Sequence, residues 1–276
     1  MRLTTPPHDL IVVDDASSDG SPEILAQYRD SIRFLPLEKN HGKGGARNAG
    51  AALATGDYLV FLDGDDVLLP WALDVYGRVA GLKAPKLFLC AMKWFRGDLA
   101  AVPVIGKPPT IEMVEYSDCL RRDRQYVISA SALVVERNAL RRAGGWGDLK
   151  VNQDQDLLFK LGDSGCTVQI LSPPTTLHRQ HPNQSINYIP PYIDAMLEMR
   201  RKHRKGEYPG GPSRRFDRAA LLGGLAVYWI KRSCKARLYT HALRLFVYTW
   251  PLIFAAIVHR SHVLLKGRLQ TETVEV

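Results

Sequence analysis

The chain has 276 residues, 46% hydrophobic and 24% charged, with a net charge of +9. These values are ordinary for a globular protein, and with no internal repeat they exclude a low-complexity or repeat chain; the length admits one large domain with an appendage. The charge is uneven: residues 200–276 hold 16 of the 37 Lys+Arg and 4 of the 28 Asp+Glu, so that tail is +12 and the remainder −3. A basic tail seeks phosphate, in lipid headgroups or nucleic acid. Cys90, Cys119, Cys166 and Cys234 form no C-x-x-C pair, which argues against zinc and for a reducing cytosol. The first ten residues are polar and carry two prolines, so they do not read as a secretory leader.

DLIVV (9–13) predicts a buried strand running into Asp14-Asp15. SPEILAQYRD (21–30) predicts a helix with Ser21 as N-cap, Pro22 at the first position and Glu23 in the first turn. IRFLPL (32–37) is a short strand, and the Ala-rich GGARNAGAALATG (44–56) a helix ending on Gly56. DYLVFLDGDD (57–66) is a strand running into acids, followed by a helix over LPWALDVYGRVAG (69–81). KLFLCAMKWF (86–95) and YVISASALVVE (126–136) predict strands, with a Pro-rich loop over 97–114 between them. RNALRRAGGWGD (137–148) is a short helix closed by Gly144-Gly145. QDQDLLFKLGDSG (153–165) is an amphipathic helix with acids at its start, TVQIL (167–171) a strand, and PPTTLHRQHPNQS (173–185) a polar loop. From about residue 186 the chain reads as helical and basic.

Strands alternating with helices of about ten residues predict an α/β fold with a mostly parallel sheet flanked by helices. Ligands in such sheets bind beyond the carboxyl ends of the strands. Asp14-Asp15 and Asp63-Gly64-Asp65-Asp66 both end strands, so both acidic clusters fall on the rim where sites are built. Carboxylates so crowded repel unless a cation sits between them, and Mg²⁺ or Mn²⁺ takes such hard oxygen ligands together with substrate phosphates. An Asp-x-Asp alone is a weak signal that also fits a solvated turn. GKGGARNAG lacks the G-x-x-x-x-G-K-[ST] spacing of a phosphate loop.

IVVDDASSDGS, GKGGARNAG, YLVFLDGDD, LRRAGGWGD and NQDQDLLFKLGDSG, in this order over about 9–185, resemble the family 2 glycosyltransferases of the GT-A fold. The resemblance implies a Rossmann-like catalytic domain over 1–188 and a C-terminal helical extension over 189–276. It implies a metal-dependent, inverting transfer of a sugar from a nucleotide-diphosphate sugar to a hydroxyl, in cell-surface glycan or lipid-linked saccharide synthesis; a UDP-sugar is the family's commonest donor. Asp14, Asp15 and Arg47 would contact the donor nucleotide. Asp63 or Asp65 would reach the ribose, Asp65 or Asp66 the metal, Mn²⁺ or Mg²⁺. Asp154 aligns with the catalytic base, and Asp156 with a second acid that favours the helix dipole. Gln153 stands where the family usually has Glu, which bears on acceptor geometry. His181 matches a His after the last core strand that completes the metal sphere or touches a donor phosphate. Trp146 would line the acceptor pocket or pack in the core.

Family members also carry an earlier strand and helix, of which MRLTTPPH (1–8) resembles only the end; the resemblance therefore implies a missing N-terminal part. In the tail, LFVYTWPLIFAAIV (245–258) is a 14-residue apolar run, about 21 Å as a helix and short of the roughly 30 Å hydrocarbon core. With Pro251 at its middle and Trp, Tyr, Lys and Arg around it, the run predicts an interfacial or buried helix rather than a span, and a peripheral enzyme at the cytoplasmic face of the plasma membrane. The alternatives are a catalytically impaired membrane-surface binding protein, a nucleotidyltransferase, which would need a Gly-rich activating loop, and a nucleic-acid-binding protein, which the acids of the cleft oppose.

Overall fold

The computed structural model describes residues 9–98, 108–124, 126 and 128–276. Its centre is a six-stranded sheet in the order β11-β7-β9-β5-β8-β3: β3 (Tyr58–Val60), β5 (Leu87–Leu89), β7 (Thr110–Tyr116), β8 (Leu133–Glu136), β9 (Thr167–Ser172) and β11 (Glu272–Glu275). Phe88 and Val134 point to one face, and Leu87, Leu89, Leu133 and Val135 to the other. Both faces are covered, so these strands read as continuous apolar runs rather than as alternating ones. Val75, Tyr76 and Val79 of α3 (Ala72–Lys83) cover the first face. Ala139 and Leu140 of α4 (Arg137–Arg142), with Leu157, Leu158 and Trp146 around α5 (Gln153–Lys160), cover the second.

Two smaller sheets flank this layer. β1 (Ile11–Asp14) pairs in parallel with β2 (Arg33–Pro36). Between them lies α1 (Ser21–Ala26), and α2 (Gly42–Leu53) packs on β1. The third sheet has the order β4-β10-β6: β4 (Val67–Leu68), β10 (Thr176–Arg179) and β6 (Met92–Phe95). Pairing is more antiparallel than strand–helix alternation predicts. Among the described residues only β1–β2, β5–β9 and β6–β10 are parallel, because β8 enters between β3 and β5 against both. The expected α/β sheet flanked by helices is present; its mostly parallel character is corrected.

Several boundaries also move. Gly20, not Ser21, precedes α1, and Asp19 accepts from the Ser21 N–H. α2 ends at Leu53 with Ala54 extended, so Gly56 is not its cap. The 86–95 stretch divides into β5 and β6, which belong to different sheets. Of the described residues in 126–136, only Leu133–Glu136 are strand. β7 begins at Thr110, inside the expected loop, and β10 lies inside the expected 173–185 loop. The expectations on 1–8 and 99–107 lie outside the described residues.

The tail forms α6 (Pro190–Lys205), α7 (Arg215–Lys235) and α8 (Tyr239–Lys266). Their shared core joins Ile193, Met196, Leu222, Trp229 and Leu245 to Phe159 of α5 and to Leu120, so the bundle is docked on the sheet domain. α8 is continuous for 28 residues, about 42 Å, and it is long and apolar enough over Tyr239–Leu265 to cross a membrane. The length argument against a span is therefore overturned.

Candidate active site

The acidic turn after β3 is built by local bonds. The Asp66 N–H donates to Asp63 O, and the Asp63 N–H donates to Ser131 Oγ at 3.0 Å. Asp63, Asp65 and Asp66 each present a carboxylate oxygen within 4.8 Å of the others. Each then meets a basic partner. Arg47 Nη2 donates to Asp63 Oδ1 at 2.5 Å. His181 Nε2 lies 3.0 Å from Asp65 Oδ2. His178 Nδ1 lies 2.9 Å from Asp66 Oδ2, and the Arg179 N–H donates to Asp66 Oδ1 at 3.1 Å. Burial alone would lower the His178 ring, but Asp66, Asp65 and Asp63 together outweigh it and raise its pKa. Asp66 is buried with both oxygens engaged, while the Asp65 side chain is 41% exposed. An all-carboxylate set of hard oxygens fits Mg²⁺ or Mn²⁺, with Asp65 the most accessible donor.

Arg47, on α2, ties this cluster to α5. Its Nη1 donates to Gln153 Oε1 at 3.1 Å, and its guanidinium lies 4.5 Å from the Trp146 ring centre. Trp146 is held by Asn48, which accepts from the Trp146 N–H at 2.8 Å and donates to its carbonyl at 3.0 Å. Gly144 and Gly145 have φ of +72° and +71°, and a Cβ on Gly145 would meet Asn48 Oδ1 at 2.5 Å, so this turn needs glycine. Trp146 is buried against Phe61 and does not line the cleft. Of its two expected places, acceptor wall or core, Trp146 takes the core and supports Arg47 from there. Gln153 is also buried, its amide donating to Leu149 O as it accepts from Arg47.

Asp154 opens α5. Its Oδ1 accepts from the Gln155 N–H at 2.8 Å. Burial pushes its carboxyl up to about 6, against the pull of the Gln155 N–H and Arg47 and with the help of Asp63. Asp156 is fully buried and satisfied by Lys202 Nζ at 3.1 Å and Tyr208 Oη at 2.6 Å, which ties α5 to the tail bundle. Arg47, Asp63, Asp65, Asp154, His178 and His181 share one cleft of about 1970 Å³. Asp14 and Asp15 do not line it. Asp14 accepts from the Ser17 N–H and Asp15 from the His41 N–H, both in the turns around the separate β1–β2 sheet. The His178–Asp66 pair was not singled out from sequence; its signal was LHRQH, read as a loop and now a strand beside β4.

Residues 1–80 match the model of Glycosyl transferase family 2. Over that stretch the chain is similar to the family. It is 27% identical over 175 residues to the poly-beta-1,6-N-acetyl-D-glucosamine synthase of Staphylococcus epidermidis, over 58% of this chain and 40% of that protein. It is 26% identical over 139 residues to the UDP-Glc:alpha-D-GlcNAc-diphosphoundecaprenol beta-1,3-glucosyltransferase WfaP of Escherichia coli, over 48% of this chain and 51% of that protein. The chain thus spans about half or less of the length of these relatives. The crystal structure of S. aureus TarS 1-349 in complex with UDP-GlcNAc superposes with a TM-score of 0.59 at 14% identity, over 94% of this chain and 83% of that one. The fold of this chain is GT-A.

Proposed function

We propose that this chain acts as a family 2 glycosyltransferase and moves a sugar, with inversion, from a nucleotide-diphosphate sugar to an acceptor hydroxyl in cell-surface glycan or lipid-linked saccharide synthesis. The observation that carries the reading is one cleft lined both by Asp63 and Asp65 of the acidic cluster, with Asp66 buried behind them, and by a carboxyl raised to about 6, Asp154. Asp154 accepts the proton of the acceptor hydroxyl. The hydroxyl oxygen then bonds to the sugar's anomeric carbon, whose bond to the phosphate oxygen breaks, and the nucleoside diphosphate leaves with that electron pair. Asp65, with Asp63, Asp66 and His181 beside it, would hold Mg²⁺ or Mn²⁺, which neutralises the departing diphosphate when bound. Arg47 orients Asp63 and adds positive charge on the donor side. A UDP-sugar is the favoured donor, in keeping with the UDP-sugars named for WfaP and for the TarS complex.

The name of WfaP also includes a lipid-diphosphate acceptor. A phosphate-bearing acceptor suits this cleft: Arg122 lines it, donates from Nε to Cys119 O at 2.8 Å, and keeps Nη1 buried without a partner among the described residues. Leu243, Val247, Trp250, Phe254 and Leu265 form an exposed apolar stripe on α8 that would rest on the cytoplasmic membrane surface. The test is release of nucleoside diphosphate from a panel of nucleotide sugars with Mn²⁺ or Mg²⁺, with and without chelator, for the native chain and Asp65→Ala. Release that needs metal and is lost in Asp65→Ala is expected. Metal-independent release, equal in the variant, would overturn the metal role.

A further inference from the structure

A second pocket, of about 570 Å³, lies away from the cleft, among α6, α7 and α8. Arg200, His203 and Arg204 share one face of α6, spaced by three and four residues, and Arg215 opens α7 opposite them. No carboxylate lines this pocket. Nearby Asp217 is taken by Arg214. Arg200 has no acidic partner among the described residues and rests on the Tyr248 ring at 5.6 Å. Burial and the like charge of Arg204 both weaken its hold on the proton. His203 is 5% exposed, and its Nδ1 is buried with no hydrogen-bond partner among the described residues. Burial, Arg218, Arg215 and Arg200 lower its pKa to about 4, so the ring is neutral at pH 7, with one ring N–H to donate. A buried polar atom without a partner is destabilising, and so is a crowd of cations without a counter-anion; an anion with several acceptor oxygens relieves both.

The pocket's position identifies the anion. Pro251 forms part of its wall, and Pro251 lies on α8 one turn from Val247 and Phe254 of the exposed apolar stripe. Phe216, 47% exposed, stands at the same mouth. We propose that this pocket binds the phosphate of an anionic lipid headgroup, with Arg200, Arg204, Arg215 and His203 as donors and the α8 stripe in the acyl layer beside it. The inference rests on the membrane-surface reading above and adds a defined headgroup site to it. A diffuse basic surface would attract any anionic membrane through the sum of its charges; a pocket makes two particular arginines matter more than others on the same tail.

The test is co-sedimentation of the full chain with phosphatidylcholine vesicles, with and without phosphatidic acid. The native chain should prefer the phosphatidic acid vesicles. Arg204→Gln/Arg215→Gln should bind them about tenfold more weakly, whereas Lys231→Gln/Lys235→Gln, which removes the same charge elsewhere on α7, should keep most of the preference. Equal losses in the two double variants would overturn the pocket and leave the membrane reading standing. No binding to either vesicle would overturn the membrane reading itself. Inorganic phosphate that raises Tm through Arg204 and Arg215, without any preference for phosphatidic acid, would make the ligand a free phosphate and overturn the lipid assignment.

Discussion

Arg47 and Asp63 are joined by a charge-assisted hydrogen bond of 2.5 Å that links α2 to the acidic turn after β3. The same guanidinium reaches Gln153, 106 residues away, at the start of the helix that carries Asp154. Lysine has one ammonium and no planar fork, so it cannot hold both partners. Arg47→Lys is expected to lower kcat/KM for the donor by about 10- to 100-fold, the loss of one hydrogen bond to a charged group. Circular dichroism and Tm should stay near those of the native chain. Unchanged kinetics would mean that the link is structural only.

Asp154 gives a pH prediction. A base works deprotonated, so transfer should rise with pH through about 6 and level off above. Asp154→Asn should remove transfer by a factor of about 10² to 10⁴ and keep donor binding. Stability should move the other way. The folded-state pKa lies above the unfolded value of 3.8, so the folded chain holds the proton more tightly, and the cost of the buried charge appears as pH rises through about 6. Asp154→Asn should therefore raise Tm at pH 7.5 more than at pH 4. A variant that loses transfer and also loses stability at neutral pH would sink this account.

Asp156 sits two residues further on and behaves differently. The sequence reading of a helix-start acid accounts for its place in the first turn but not for its burial. Lys202 and Tyr208 lie on the tail and enclose it. Removing one member of a buried ion pair leaves the other uncompensated, at a cost of about 3–5 kcal/mol. Asp156→Asn should lower the unfolding free energy obtained from urea titration by that amount, and Lys202→Met in the same chain should restore part of it. Independent, additive losses would show that the two are not coupled.

The acidic ends of β1 and β3 and the acids of α5 were legible because each is a local pattern, an apolar run meeting acids or a helix start. The β4-β10-β6 sheet was not. Its strands are two to four residues long, too short for periodicity to register, and β10 finds its partners far away in sequence, as with Thr176 and Leu68 or Thr176 and Met92. β11 was missed because TVE has one apolar residue and gains its partner only from β7. Trp146 was read as either acceptor wall or core, and only the Asn48 and Phe61 contacts decide for core. Identity of residue type located the acids; their partners, Arg47 to Gln153 above all, are long-range facts that no window of sequence contains.

The crossing of α7 and α8 depends on one glycine. A Cβ on Gly223 would lie 1.9 Å from Leu252 O and 2.4 Å from its carbonyl carbon. These are backbone atoms, so no rotamer change relieves the clash, and the helices must separate. Gly224, the next residue, has open space around its Cβ position. Helix propensity alone favours alanine over glycine by about 1 kcal/mol at both sites. The two substitutions should therefore have opposite signs: Gly224→Ala raises Tm slightly, and Gly223→Ala lowers it by the equivalent of about 1–3 kcal/mol of overpacking. Because α7 and α8 share a core with Phe159 of α5 and with Leu120, the loss should spread to the cleft and reduce donor turnover as well. Differential scanning calorimetry of the two alanine variants separates packing from propensity. Equal stabilisation by both would show that the helices do not cross as closely as Gly223 and Leu252 do here.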